Sequence, residues 1–203
     1  MSNSINYKNA TFVCGTTSVS YALKQLQYPE IAVYGRSNVG KSSIINAITE
    51  CKGLCRKSMK PGCTMQLNYF LIDDKLMIVD MPGYGFARRS KVEIGKSYNI
   101  ARNYIANSTS LKALLLLIDI RRGCKENDIE MIKLLCEEGR RFVIVFTKGD
   151  KVCEEAREHA RLNLESILKE HGLDEGIGEA TIVTSSKKGK NISALRELIS
   201  EVI

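Results

Sequence analysis

The sequence contains no tryptophan, only two histidines and three prolines, and no long hydrophobic run. Its longest uninterrupted apolar stretch, residues 113–118, is far too short to cross a bilayer. Residues 1–7 lack the charged start and the apolar centre of a signal peptide. The seven cysteines include no C-x-x-C pair, and two histidines are too few to complete a zinc site. We therefore expect reduced thiols, no membrane segment and a cytoplasmic protein.

Acidic residues are missing from two segments of a chain whose net charge is +7. Residues 51–72 and residues 81–92 contain no Asp or Glu. The basic residues within these segments are Lys52, Arg56, Lys57, Lys60, Arg88, Arg89 and Lys91. Positive charge concentrated in this way favours a polyanionic partner. The alternative is that these side chains offset bound phosphates or form a solvated face.

Strand-like and helix-like segments alternate along most of the chain. Buried strands are predicted at residues 31–34, 111–119, 142–147 and 181–184, and helices at 41–49, 91–107, 127–138, 154–170 and 192–202. Further predictions are a strand and short helix within 11–26, a long loop at 51–64, and a hairpin of strands 65–72 and 75–80. The pattern indicates an α/β fold over residues 11–203: a single three-layer domain with a mainly parallel, doubly wound sheet and one antiparallel edge hairpin. Residues 1–10 are expected to be frayed.

A phosphate-binding pattern lies between the first buried strand and the helix after it. Gly35, Gly40, Lys41 and Ser42 match G-x-x-x-x-G-K-[ST] without exception. Glycines let backbone N–H groups turn toward a polyphosphate, and the helix N-terminus adds its dipole. Lys41 is expected to reach the β/γ-phosphates, and Ser42 to ligate Mg²⁺. The predicted contacts of this phosphate loop are Gly35, Arg36, Ser37, Asn38, Val39, Gly40, Lys41, Ser42 and Ser43.

Two later loops carry groups that can respond to a γ-phosphate. In the second loop the Thr64 hydroxyl can complete the Mg²⁺ shell. In the third loop Asp80 can hold Mg²⁺ through water, and the Gly83 N–H can bond a γ-phosphate oxygen. Loops that are ordered by a γ-phosphate and released on hydrolysis act as a switch. The predicted contacts are Gly62, Cys63, Thr64, Met65 and Gln66 in the second loop, and Asp80, Met81, Pro82 and Gly83 in the third.

Guanine recognition is predicted in the loops that follow the last two strands. Asp150 can accept the N1–H and N2–H₂ groups of guanine, which adenine does not offer. Leaving this carboxylate unpaired over adenine would cost about 1–3 kcal/mol or more, so the residue favours GTP over ATP. The Lys148 stem can lie along the purine face, and backbone N–H groups of the fifth loop could bond guanine O6. The fourth loop is Thr147, Lys148, Gly149 and Asp150, and the fifth is Thr184, Ser185, Ser186 and Lys187.

In their order, spacing and local sequence, these five loops resemble those of translation-factor-like P-loop GTPases. Among them, the chain is most similar to the EngB (YihA/YsxC) family of bacterial ribosome-biogenesis GTP-binding proteins. The resemblance covers roughly residue 11 to the end and is carried by residues 29–32, 35–43, 80–87 and 147–150. It implies a GTPase domain that binds GTP or GDP with Mg²⁺, with Asn38, Lys41 and Gly83 in catalytic roles. It also implies contact with the large ribosomal subunit and its rRNA, assistance in subunit assembly, and a need for the protein in cell division and septation. We expect neither a membrane nor DNA as a partner.

The chain departs from the family pattern at several positions. Cys63 and Met65 stand where the family usually has Arg and Gln, which weakens the transfer of phosphate or rRNA contacts there. Thr147 replaces the Asn of most GTPases, although Thr is usual in this family. The Trp that customarily follows the third loop is absent.

Tyr84 stands where Ras-like enzymes carry the Gln that orients the attacking water. Intrinsic hydrolysis is therefore expected to be slow unless a partner or an ion assists. Asn38 resembles the potassium-ligating Asn of related GTPases, and K⁺ there could neutralise developing charge. The alternative is that Asn38 only braces the loop. Two other functions stay open: a nucleotide-gated RNA- or ribosome-binding module with negligible hydrolysis, and a GTPase of the same superfamily with a non-ribosomal role.

Overall fold

Seven strands form one sheet in the computed structural model, which describes residues 5–18, 28–57, 66–85, 91–173 and 181–203. The strands are β1 (Ala10–Thr16), β2 (Glu30–Gly35), β3 (Leu67–Ile72), β4 (Leu76–Asp80), β5 (Leu111–Asp119), β6 (Phe142–Thr147) and β7 (Thr181–Val183). The helices are α1 (Lys41–Thr49), α2 (Leu54–Lys57), α3 (Lys91–Asn107), α4 (Glu126–Glu137), α5 (Glu154–Glu170) and α6 (Ile192–Glu201). Except for α2, and for β1, which was predicted only as a strand somewhere within 11–26, these elements lie within two residues of the predicted bounds.

The sheet has the order β1-β3-β4-β2-β5-β6-β7. Strand β3 runs antiparallel to both of its neighbours, whereas β4, β2, β5, β6 and β7 pair in parallel. The β3–β4 hairpin turns at Asp73 and Asp74, whose φ angles of 51° and 49° are those of a turn that matches strand twist. The mainly parallel sheet and its antiparallel hairpin are thereby confirmed. The carboxyl ends of the parallel strands, where ligands bind in such folds, meet at one edge.

Apolar side chains cover both faces of the sheet, so β2 is buried at every residue. On one face α1 and α6 contribute Ile44, Ile45, Ile48, Leu195 and Ile199. On the other face α3, α4 and α5 contribute Ala101, Ile105, Ile129, Ile132, Leu135, Leu164 and Leu168. The result is the predicted three-layer arrangement.

The segment predicted as an irregular loop at residues 51–64 contains the short helix α2. Leu54 and Cys55 are buried in the core on the α1 side of the sheet, and the Cys55 N–H donates to the Asn46 side chain at 3.3 Å. Burial against α1 therefore orders a stretch that has no periodicity of its own, and the loop prediction was wrong for residues 54–57. Residues 19–27 and 58–65 lie outside the described residues, and the short helix predicted within 11–26 falls largely in the first of these gaps.

Residues 5–10 were predicted to be frayed, and this was wrong. Tyr7 is buried, and its hydroxyl donates to the Arg196 carbonyl at 3.1 Å. The Arg196 guanidinium lies 5.3 Å from the centre of the Tyr7 ring. The Asn6 N–H donates to Asp73 at 3.1 Å, and Ala10 begins β1. Since these partners are distant in sequence, the polar composition of the segment gave no sign of them.

The sequence-based expectations about membrane segments, thiols and metal sites concern features that are visible in the part of the chain that the structure describes. No helix there has both the length and the apolar character needed to span a membrane. None of the six described cysteines is bonded to another described cysteine in a disulfide. Within the same residues, no group of three or more His, Cys, Asp or Glu side chains is arranged to hold a metal ion.

A buried carboxyl group, that of Glu30, lies at the first residue of β2. The hydroxyls of Tyr104 and Ser108 donate to its Oε2 at 2.5 and 3.1 Å. Burial raises the pKa of Glu30, although these two hydrogen bonds act in the opposite direction. The contacts fasten the carboxyl end of α3 to the edge of the sheet that is opposite the strand ends where ligands bind.

Replacing Tyr104 with Phe tests this contact. The variant leaves a buried carboxyl without its shorter hydrogen bond, so we expect the free energy of unfolding to fall by about 1–3 kcal/mol in urea denaturation. Tyr28→Phe removes the same atom from a half-buried tyrosine whose hydroxyl makes no hydrogen bond with the described residues, and it should change stability by less than about 0.5 kcal/mol. Equal losses in the two variants would show that the Glu30 contact contributes nothing of its own.

Candidate nucleotide-binding site

The phosphate loop ends at an α1 N-terminus whose N-cap residue is a glycine. Gly40 occupies this position with φ 118° and supplies no side-chain cap. The first turn contains no acidic residue. Uncapped N–H groups and an uncompensated positive dipole end form an anion site, as a polyphosphate requires.

Lys41 and Gly83 bring the third loop against the phosphate loop. The Lys41 ammonium lies 3.3 Å from the Gly35 carbonyl oxygen. A Cβ built on Gly83 would lie 2.5 Å from that ammonium nitrogen and 3.2 Å from the same carbonyl. No side chain fits at position 83 unless Lys41 moves, so a glycine there keeps the lysine in place.

Backbone hydrogen bonds hold the third loop in this position. The Ser37 N–H donates to the Tyr84 carbonyl at 2.8 Å, and the Met81 N–H donates to the Val33 carbonyl at 3.0 Å. Arg36 and Tyr84 also form a parallel bridge. The loops predicted to contact the β- and γ-phosphates are therefore physically joined.

Asp80 ends β4 as a buried carboxyl group, and its Oδ1 has no hydrogen-bond partner among the described residues. Burial raises its pKa to about 6, although the nearby Lys41 charge opposes the shift. A bound cation would satisfy the orphaned oxygen and favour the ionised form. Mg²⁺ typically takes one or two protein ligands beside phosphates and waters, so Asp80 and Ser42 fit this ion. The third predicted ligand, Thr64, lies outside the described residues.

Two side chains of the fourth loop tie it to the phosphate loop. The Thr147 hydroxyl donates to the Val39 carbonyl at 2.8 Å. The Lys148 ammonium donates to the Asn38 carbonyl at 2.7 Å. The base-binding and phosphate-binding segments are thus fixed relative to each other.

Asp119, at the end of β5, was not predicted as a site residue. It accepts the Lys148 ammonium at 2.8 Å and the Arg121 guanidinium at 2.7 Å. Burial alone would raise the pKa of Asp119, but the hydrogen bonds from Arg121 and Lys148 outweigh it and hold the pKa well below its usual range. The signal was present: Asp119 is an acidic residue at the carboxyl end of a parallel strand that lies between β2 and β6. Its role is to position Lys148.

Asp150 presents an ionised carboxylate, as guanine recognition needs. The Ser185 hydroxyl donates to its Oδ1 at 2.6 Å and lowers its pKa. This contact brings the fourth and fifth loops together. The Gly149 N–H also donates to the Thr184 carbonyl at 2.9 Å.

Only some of the N–H groups of the fifth loop are available for the predicted contact with guanine O6. The Thr184 N–H donates to the Phe146 carbonyl at 2.7 Å, and the Ser185 N–H to the Lys190 carbonyl at 3.1 Å. The first of these donors continues the pairing of β6 with β7, and the second closes an isolated bridge within the loop, so both are already used. The N–H groups of Ser186 and Lys187 are the ones left to the predicted contact with O6.

Tyr84 points into the core. It is buried, its ring centre lies 5.0 Å from that of Tyr34, and its hydroxyl donates to Asp128. The other Asp128 oxygen accepts the Lys125 N–H at 2.8 Å at the start of α4. The tyrosine thus fastens the third loop to α4, and this contact explains why a tyrosine stands at position 84.

The remaining predicted residues divide into two groups. Gly62, Cys63, Thr64 and Met65 lie outside the described residues. Gln66 is half-buried at the entrance to β3, where its amide donates to the Asn68 side chain at 3.1 Å, and Ser43 is exposed on α1. The uncapped phosphate loop, the orphaned Asp80 and the Asp150–Ser185 pair together define the site of a P-loop GTPase.

Comparison with known proteins identifies the family within this class. A family model described as a 50S ribosome-binding GTPase matches residues 30–148. The probable GTP-binding protein EngB of Rickettsia felis is 46% identical over 146 residues, which cover 71% of this chain and 68% of that protein. EngB of Cereibacter sphaeroides is 38% identical over 189 residues, which cover 93% of this chain and 85% of that protein.

A crystal structure of a probable GTP-binding protein engB has a TM-score of 0.70 and 26% identity, and the match covers 85% of this chain and 97% of that one. The chain belongs to the EngB family of GTP-binding proteins. Its nucleotides are accordingly GTP and GDP.

Replacing Gly83 with Ala tests the contact between the third loop and Lys41. The added methyl group displaces the Lys41 ammonium. The bound nucleotide then loses a charge-assisted contact with its phosphates that is worth about 1.5–3 kcal/mol. We expect affinity for a GTP analogue to fall by about tenfold or more, and GDP affinity to change less, in fluorescence titrations.

Gly95→Ala is the matched control, because a Cβ there meets nothing within 4 Å. It lies within α3 and should slightly raise stability while leaving both affinities unchanged. Equal affinities in the Gly83→Ala variant and the wild type would contradict the assigned contact.

Proposed function

We propose that this chain is an Mg²⁺-dependent GTP switch that acts in the cytoplasm and assists assembly of the large ribosomal subunit. Through that role it would be needed for normal cell division and septation. The observation that carries the switch is the junction of the third loop with the phosphate loop, in which Gly83 lies against Lys41. The ribosomal role rests on the description of the matching family model and on the basic character of the chain.

The junction explains how nucleotide state would reach the protein surface. A γ-phosphate bound beside Lys41 would meet the Gly83 N–H, and Mg²⁺ would meet Asp80. Both residues belong to a loop that Tyr84 fastens to α4. Loss of the γ-phosphate would remove the contacts that favour this loop position and so shift its population.

Slow intrinsic hydrolysis is part of the proposal. Tyr84 has no amide to orient water, and its hydroxyl is committed to Asp128. A partner or an ion would have to supply the missing stabilisation of the transition state. Asn38 supports stimulation of hydrolysis by K⁺, because it is exposed and its side-chain amide makes no hydrogen bond with the described residues.

Co-sedimentation with large ribosomal subunits tests the proposed function. We expect the chain to pellet with them about tenfold more tightly with a non-hydrolysable GTP analogue than with GDP, within the usual range of coupling between two sites. Affinity should fall as salt rises, since binding to a polyanion releases counterions. Identical pelleting in the two nucleotide states would contradict a GTP switch, and no pelleting in either would contradict the ribosomal role.

Turnover measured in KCl and in NaCl at equal ionic strength tests the potassium proposal. We expect faster hydrolysis in K⁺, because an ion held by the Asn38 side chain would neutralise charge that develops on the phosphates. Asn38→Gly keeps the left-handed backbone, φ 63°, and removes the side-chain oxygen. The variant should turn over equally in the two salts. Equal wild-type rates would leave Asn38 as a brace of the loop.

A nucleotide-gated binding module with negligible hydrolysis is the second candidate, and the buried Tyr84 is the observation that favours it. Single-turnover hydrolysis with and without ribosomal subunits separates the two functions. A rate that rises with subunits supports the GTPase switch. A flat rate despite demonstrable binding supports the module.

A further inference from the structure

A cavity of about 610 Å³ opens beside residues 36–39 of the phosphate loop. Its walls include Arg36 and Asn38 from that loop, Gly85 after the third loop, Arg121 and Arg122 after β5, and Lys148. Of the residues that receive phosphates, Mg²⁺ or guanine in the site described above, neither Lys41, Asp80 nor Asp150 lines it. The cavity shares residues 36–39 and Lys148 with the nucleotide site and extends from there to the segment after β5 that carries Arg121 and Arg122.

Positive charge dominates the cavity. Its lining carries four cationic side chains and one carboxylate, Asp119, which already pairs with Arg121 and Lys148. The side chains of Arg36 and Arg122 make no hydrogen bond or ion pair with the described residues. Arg122 is exposed, and Arg36 is half-buried. Arg36 does lie close enough to the Asp128 carboxyl to lower its pKa. The lining as a whole is nevertheless net positive, and positive charge gathered around one concavity favours an anionic occupant.

The arginines favour phosphate in particular. A guanidinium presents its N–H donors in a planar fork that matches two phosphate oxygens. Arg36 and Arg122 come from different loops, so the occupant must offer anionic groups to both. A sugar–phosphate backbone with its evenly spaced charges meets that requirement.

The cavity also touches the element that senses nucleotide state. A Cβ built on Gly85 would lie 3.6 Å from the Arg36 Nε, and Arg36 bridges to Tyr84. An occupant held by Arg36 therefore lies against the third loop. Binding there and the position of that loop would be coupled.

We propose that this cavity receives backbone phosphates of RNA from the large ribosomal subunit, held by Arg36 and Arg122. The proposal rests on the proposed function and gives it a contact surface. It differs from the nucleotide contacts of the same loop, because Arg122 has no part in them.

The test compares two charge reversals, Arg122→Glu and Arg141→Glu. Arg141 is also exposed, and it immediately precedes β6 at the opposite edge of the sheet. Binding of the full chain with a non-hydrolysable GTP analogue is measured against intact large subunits and against protein-free large-subunit rRNA. GTP affinity is measured in parallel and should be unchanged in both variants.

We expect Arg122→Glu to weaken binding to both RNA targets by about tenfold and to reduce the slope of log affinity against log salt by about 1, as loss of one phosphate contact does. Arg122→Lys should bind between the wild type and Arg122→Glu. Arg141→Glu should lose less than about twofold, because its charge change lies away from the cavity.

Each other outcome overturns a defined part of the argument. Equal losses in the two reversals would reduce the effect to net charge and reject the cavity. A loss with intact subunits but not with protein-free rRNA would reject RNA in favour of an acidic protein segment. If the wild type binds and Arg122→Glu binds equally well, the cavity is rejected as the RNA site but the ribosomal role stands. If the wild type binds neither target, both proposals are rejected.

Discussion

The Lys148 ammonium is the contact on which the geometry of the site depends most. It bonds the Asn38 carbonyl of the phosphate loop and the Asp119 carboxylate at the end of β5. A half-exposed lysine of this kind would ordinarily be mobile, and ordering it costs side-chain entropy. The buried Asp119 offsets that cost, because its charge is satisfied by Lys148 and Arg121 together. One cation thereby fixes the distance between the loop that binds phosphates and the loop that binds the base.

Hydrogen bonds with the sheet also hold the fifth loop, which is predicted to contact the guanine base from the other side. Thr184 continues the pairing of β6 with β7, since its N–H and its hydroxyl both reach the Phe146 carbonyl. The Ser185 hydroxyl can then aim at Asp150 from a backbone that does not move. Specificity for guanine depends on an acceptor held in place before the ligand arrives, because preorganisation lowers the cost of binding. The fourth and fifth loops achieve this through main-chain hydrogen bonds with adjacent strands.

Local sequence was sufficient for much of this architecture. Periodic apolar residues predicted the strands and the long helices, and the adjacent Asp73 and Asp74 predicted the hairpin, since these features depend on nearby residues. The burial of Tyr7 and the inward turn of Tyr84 could not be predicted in this way. Each depends on a partner far away in the chain: Tyr7 on Arg196, and Tyr84 on Asp128. Only the fold brings such residues together.

Two buried carboxyl groups at opposite ends of the sheet show how structure and function can be told apart in this molecule. Glu30 is surrounded by donors, and its hydrogen bonds with Tyr104 and Ser108 serve packing. Asp80 is also buried, yet one of its oxygens accepts no hydrogen bond from the residues that the structure describes. A buried acceptor without a donor costs about 1–3 kcal/mol, and a bound cation would remove that cost. Lys41 and Ser42 lie on the phosphate loop beside Asp80, so the proposed Mg²⁺ site would account for the unpaired oxygen of Asp80, whereas packing alone explains the fully paired Glu30.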